Sequence, residues 1–126
     1  MLTGTGLTWL MVLVGGAAGA VGRFTVNWLV ERRSRPAPRA TLAVNVAGSL
    51  LLGLLAGTGA ALPGWLGALA GTGFCGALTT WSTFGYETVH MLGSGAVGRR
   101  QAILNVLATL AAGLGAAALG WQLGSL

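Results

Sequence analysis

Long apolar runs alternate with short polar ones along the chain, and the polar runs hold nearly all of its charge. Leu7 to Gly22 contains no charged residue, and Arg23 follows near the end of a first helix expected over 7–30, where its long stem can reach the membrane interface. Glu31 to Arg39 reads as a basic loop, because Pro36 and Pro38 forbid one continuous helix through it. From Ala40 to Tyr86 there is no charge at all. That run is too long for one membrane crossing, since about 30 Å of hydrocarbon takes roughly 20 residues of helix, and Pro63-Gly64 divides it into spans expected over 40–62 and 65–91. Gly93 to Arg100 reads as a Gly-rich basic loop, and a last span is expected over 101–123. The pattern predicts an all-α membrane protein with four transmembrane helices in a single integral domain, residues 1–126.

Polar residues inside the spans narrow the reading. Thr41, Asn45 and Ser49 recur every four residues and share one face of the second helix, and Asn105, Thr109 and Gly113 repeat that spacing on the fourth. In lipid such stripes must face protein or water, which serves interhelical hydrogen bonding and a conduction path equally. The run from Gly71 to Glu87 is rich in poor helix formers at mid-membrane depth, which predicts a broken third helix. Unwound backbone survives in a bilayer only where its freed groups are buried in protein, line water or bind an ion. Trp81 and Phe84 share a face after the break, and the positive edges of their rings suit a partly dehydrated anion. Glu87 falls on the same side as Arg23, a pairing the sequence allows. His90 stands with no second ligand at metal-binding spacing, and no nucleophile triad or phosphate loop is present, so no enzyme activity is expected.

Composition strengthens the membrane reading: 54% of the 126 residues are hydrophobic, 7% are charged and the mean hydropathy is +0.77, too apolar to clothe a soluble domain. The net charge of +5 comes from seven basic residues, all Arg, against Glu31 and Glu87. Arg32, Arg33, Arg35 and Arg39 flank apolar runs as a positive cytoplasmic margin does, which excludes a nucleic-acid partner and places both termini outside. Ala18-Gly19-Ala20 resembles a signal-peptidase site, but nothing basic precedes Leu7 and the apolar run continues, so a retained helix is expected. Cys75 reads as a small packing residue. The 23 glycines include small-xxx-small pairs at Gly15/Gly19, Gly53/Gly57, Gly67/Gly71 and Gly120/Gly124, which permit close helix contact without identifying a dimer face.

Four segments, Gly15 to Phe24, Thr41 to Ser49, Gly73 to Glu87 and Asn105 to Gly113, together make the chain resemble the Fluc (CrcB) family of fluoride channels. The most specific are T-L-x-V-N-x-x-G-S and G-F-x-G-x-x-T-T-x-S-T-F-x-x-E. The resemblance implies an antiparallel dimer in the bacterial inner (plasma) membrane that passively exports cytoplasmic fluoride and so reduces its toxicity. It implies a structural sodium ion at the dimer centre, held by backbone carbonyls that fall on Gly76 and Thr79. Asn45, Thr41, Phe84, Thr83 and Ser82 match pore positions, Thr109 matches a hydroxyl-bearing one and Arg23 the vestibule. Trp81 stands where the family has a first pore Phe, and Asn105 where it has Tyr.

An antiparallel homodimer conflicts with seven Arg on one side, which should insert every copy alike. The resemblance therefore allows either a homodimer or a heterodimer with an opposite-orientation paralogue, of which the charge bias predicts the second. A small four-span multidrug exporter would need a carboxylate in the first span, and there is none. A non-conducting membrane subunit held together by its polar stripes is the remaining alternative.

Overall fold

A computed structural model describes residues 4–126; residues 1–3, the first positions of the expected single domain 1–126, lie outside the described residues. Five helical elements follow in order: α1 (Gly4–Arg32), α2 (Ala37–Thr58), α3 (residues 64–78), α4 (Trp81–Leu92) and α5 (Gly95–Gly124). A 3₁₀ turn, Gly59–Ala61, links α2 to α3. Among the described residues, three helices, α1, α2 and α5, are long and apolar enough to cross a membrane. The signal-peptidase-like Ala18-Gly19-Ala20 lies within the unbroken α1.

Both basic loops are shorter than the sequence suggests. Pro38 sits in the first turn of α2, where its missing N–H would have no helical acceptor in any case, so only residues 33–36 separate α1 from α2. Arg99 and Arg100 belong to α5, which starts immediately after Ser94, with Gly95 at φ +83° making the turn. α1 closes with Ser34 in the left-handed region at φ 54°; the Ser34 N–H donates to Glu31 O at 2.9 Å and the Arg35 N–H to Val30 O at 3.0 Å, which together form a Schellman motif.

The expected third span is two helices. α3 begins as Gly64–Leu66, widens into a π-helix over Gly67–Cys75 and tightens again over Gly76–Leu78. Thr79 and Thr80 are extended, with ψ 156° and 121°, before α4 starts. The break is thus confined to two residues within the stretch from Gly71 to Glu87.

Two glycine seams hold the helices together. α1 lies on α3, and α2 lies on α5. In the first seam a Cβ added to Gly15 would stand 2.0 Å from Leu69 O, and one on Gly19 2.3 Å from Phe74 O. In the second, a Cβ on Gly53 would stand 2.1 Å from Ala117 O and one on Gly120 2.2 Å from Leu50 O; Gly57 and Gly124 are equally crowded. Three of the four spaced pairs therefore pack within one chain. Gly67 meets nothing within 4 Å and Gly71 only ordinary side-chain contacts; the crowded glycine of α3 is Gly73, 2.7 Å from Val12 O on the same test. Cys75 is fully buried, as a small packing residue should be.

Because the atoms opposing these glycines are backbone and cannot swing away, Gly53→Ala or Gly120→Ala is expected to destabilise the protein by about 1–3 kcal/mol, read as a lower thermal midpoint in detergent. Gly64→Ala, with open space around its Cβ, is expected to change stability by no more than about 0.5 kcal/mol.

Candidate functional site

Where α3 ends, its chain must abandon helical hydrogen bonds, and α2 replaces them. The Thr80 N–H donates to Asn45 Oδ1 at 2.7 Å, and Asn45 Nδ2 donates to Thr80 O at 3.1 Å, so one side-chain amide stands in for a strand partner on both sides of a buried residue. Thr80 then caps α4: its Oγ1 accepts from the Thr83 N–H at 3.1 Å, donates to Thr83 Oγ1 at 3.0 Å and lies 3.4 Å from Ser82 Oγ. On the α3 side, the Thr79 N–H and Oγ1 both donate to Cys75 O, at 3.0 and 2.8 Å. The Thr79 methyl occupies the space above Gly48, where a Cβ would lie 2.2 Å from it.

These bonds have a consequence for two carbonyls. A continuous helix would direct the Thr80 N–H to Gly76 O and the Thr83 N–H to Thr79 O. Both N–H groups are turned instead to Asn45 Oδ1 and Thr80 Oγ1. Gly76 and Thr79 thus carry carbonyl oxygens without the helical donor four residues on, and nothing would oppose a Cβ at Gly76 within 4 Å. Neutral, hard oxygen donors of this kind suit an alkali or alkaline-earth cation.

An open groove of about 330 Å³ runs beside the break. Its polar lining comes from Asn45 and Ser49 of α2, Thr79 and Thr80 of the break, and Thr109 of α5, with Leu52, Leu110 and Leu114 beside them. The two polar stripes meet here: a Cβ on Gly113 would lie 3.6 Å from Ser49 Oγ. Trp81 lines the groove and is 76% exposed, whereas Phe84 is 6% exposed; their rings touch, tilted by 50° with centroids 5.4 Å apart. The shared face expected for them therefore splits into an outward ring lying on a buried one.

One turn before Asn45, the buried Thr41 donates from Oγ1 to Glu87 Oε1, while Glu87 Oε2 is buried without a hydrogen-bond partner. The carboxylate's bond thus comes from Thr41 and not, as the sequence allowed, from Arg23. Arg23 is half-buried on α1 and lines neither the groove nor this contact. His90 is exposed and stacks on Tyr86, with ring centroids 6.2 Å apart.

The structure brings Asn45, Thr79, Trp81 and Thr109 to one groove, sets Ser82 and Thr83 on the cap behind it, and places Thr41 and Phe84 beneath. Thr80 is the hub that sequence reasoning left out. Its signal was present: a Thr immediately before a helix, with a hydroxyl residue three positions on, marks an N-cap.

Asn45→Ala is expected to strand a buried N–H and a buried C=O together and to lower stability by about 2 kcal/mol or more in a detergent melt. Thr41→Val should cost about 1–3 kcal/mol by removing the one donor to Glu87, while Thr41→Ser should retain most of that stability.

Residues 10–121 match the CrcB-like protein family (Camphor Resistance, CrcB). The chain is 50% identical over 107 residues to fluoride-specific ion channel FluC 1 of Nocardia farcinica, covering 84% of this chain and 72% of that one. It is 48% identical over 121 residues to FluC 2 of Rhodococcus jostii, covering 94% and 100%, and 46% identical over 118 residues to FluC 1 of Streptomyces avermitilis, covering 90% and 93%. On a match that takes in all five helical elements, the chain belongs to the CrcB-like protein family.

Proposed function

We propose that the protein is a fluoride channel that passively exports the anion across the bacterial inner membrane and so reduces its toxicity, rather than an enzyme or a drug exporter. The observation that carries this reading is the groove beside the helix break: hydrogen-bond donors in an otherwise apolar wall, which in lipid persist only where they face protein or water. Asn45 Nδ2 has two protons and gives one to Thr80 O, leaving the other for an anion. The hydroxyls of Ser49 and Thr109 add donors along the same wall. Such neutral donors replace part of a small anion's hydration yet release it, as conduction requires. The exposed ring of Trp81, lying on the buried Phe84, completes a surface suited to a partly dehydrated anion, with Thr41, Ser82 and Thr83 supporting it and Arg23 at the vestibule. The relatives' shared name, fluoride-specific ion channel, supports fluoride as that anion.

In this reading α3 and α4 together form a fourth, broken crossing, and both termini are outside. The groove is open in one chain and is covered by a second subunit of opposite orientation, giving an antiparallel dimer. All seven Arg lie toward the loops after the first and third crossings, which favours an oppositely inserted paralogue over a second copy. A sodium ion at the dimer centre would be held by Gly76 O and Thr79 O, whose released carbonyls fit it. Its role would be structural, giving those oxygens, which lack their helical donors, a partner where the subunits meet.

Liposomes containing the purified protein, alone and with an oppositely oriented family member, test the proposal. Selective fluoride efflux in sodium buffer is expected from the pair, with chloride efflux at the protein-free level and a loss of at least about tenfold on Asn45→Ala, equivalent to about 1.4 kcal/mol. Replacing sodium by N-methylglucamine should lower the thermal midpoint. No fluoride efflux from well-folded protein in either preparation contradicts the channel reading; equal efflux from the protein alone contradicts obligate pairing.

A further inference from the structure

The corner where α1 passes into α2 carries chemistry that ion conduction does not use. A groove of about 290 Å³ is lined there by Val26, Leu29, Val30, Arg33, Arg35 and Arg39. We propose that it binds an acidic phospholipid of the cytoplasmic leaflet, the three Arg taking the head-group phosphate and the three aliphatic residues an acyl chain.

The sequence builds the site through the turn. The Schellman closure at Ser34 sets Arg33 and Arg35 on either side of a left-handed residue, and Arg39 comes from the first turn of α2. All three Arg are exposed, and their guanidiniums have no ion pair or side-chain hydrogen bond among the described residues. Arg32 is differently placed: it lies over the Trp28 ring, 5.1 Å from the centroid, and does not line the groove. Pro36 offers no side-chain cap to α2, so the positive end of a 22-residue helix adds to the same field.

The other wall selects a lipid over a free anion. Val26, Leu29 and Val30 descend α1 from the charged rim, and at 1.5 Å per residue Val26 lies about 10 Å below Arg33. A ligand filling the groove therefore needs negative charge at one end and hydrocarbon at the other, which is the order of head group and chain in a leaflet. Planar guanidiniums match phosphate oxygens in bidentate fashion. Basic corners beside membrane helices hold anionic head groups by this means. The inference requires a membrane location and is independent of which ion the protein conducts.

Full-length protein in detergent is incubated with dioleoyl phosphatidylglycerol or dioleoyl phosphatidylcholine, and retained lipid is counted by native mass spectrometry. Phosphatidylglycerol is expected to be retained preferentially, R35Q to weaken its retention by about fivefold, and the R33Q/R35Q/R39Q variant to abolish the preference. Arg35 contributes only a backbone N–H to the fold, so R35Q remains informative even where the triple variant misfolds. R99Q/R100Q, near the start of α5, is expected to leave the R35Q-sensitive retention unchanged, and excess inorganic phosphate is expected not to displace the lipid. Equal retention of the two lipids, full retention by R35Q, an equal loss in R99Q/R100Q or displacement by phosphate would each overturn the proposal.

Discussion

A helix interrupted in an apolar environment must find partners for the backbone groups it gives up, and here one side chain supplies them. Asn45 bonds both the N–H and the C=O of Thr80, and Thr80 in turn caps α4. Everything distinctive about the site follows from that exchange. By drawing the Thr80 N–H away from Gly76 O, it releases the carbonyls proposed to hold a cation. By fixing the direction in which α4 leaves, it stacks Trp81 on Phe84 and brings Glu87 to Thr41. Asn45 is therefore both a structural brace and, through its remaining proton, a candidate ligand.

The glycine seams set what is left over for function. They bring α1 onto α3 and α2 onto α5 with backbone close to backbone, so each pair is settled within the chain. The face left open between α2, the break and α5 is the polar groove. Small residues thus do the packing, while polar residues that can donate hydrogen bonds remain in the open groove.

Much of this was legible in the chain because the signals are local. Uncharged runs and prolines placed the apolar helices, and four-residue spacing put Thr41, Asn45 and Ser49 on one face. Poor helix formers located the region of the break. The details that escaped depend on which atoms meet across helices. Nothing in the spacing of Asn45 and Thr80, 35 residues apart, states that one braces the other. The same holds for Thr41 and Glu87, where charge alone pointed to Arg23. The π-helical stretch of α3 has no period a polar pattern could reveal, since nearly every residue in it is apolar or small. Loop lengths were overestimated because Arg and Pro read as loop markers, although both are well tolerated in a helix's first turns.

Amide hydrogen exchange at Thr80, followed in the intact protein and in Asn45→Ala, tests the central claim most directly. The Thr80 N–H of the intact protein, although outside any helix, is expected to be protected like its helical neighbours, and the substitution to remove this protection while leaving α2 and α5 protected. Rapid exchange in the intact protein, or protection that survives the loss of Asn45, would contradict it.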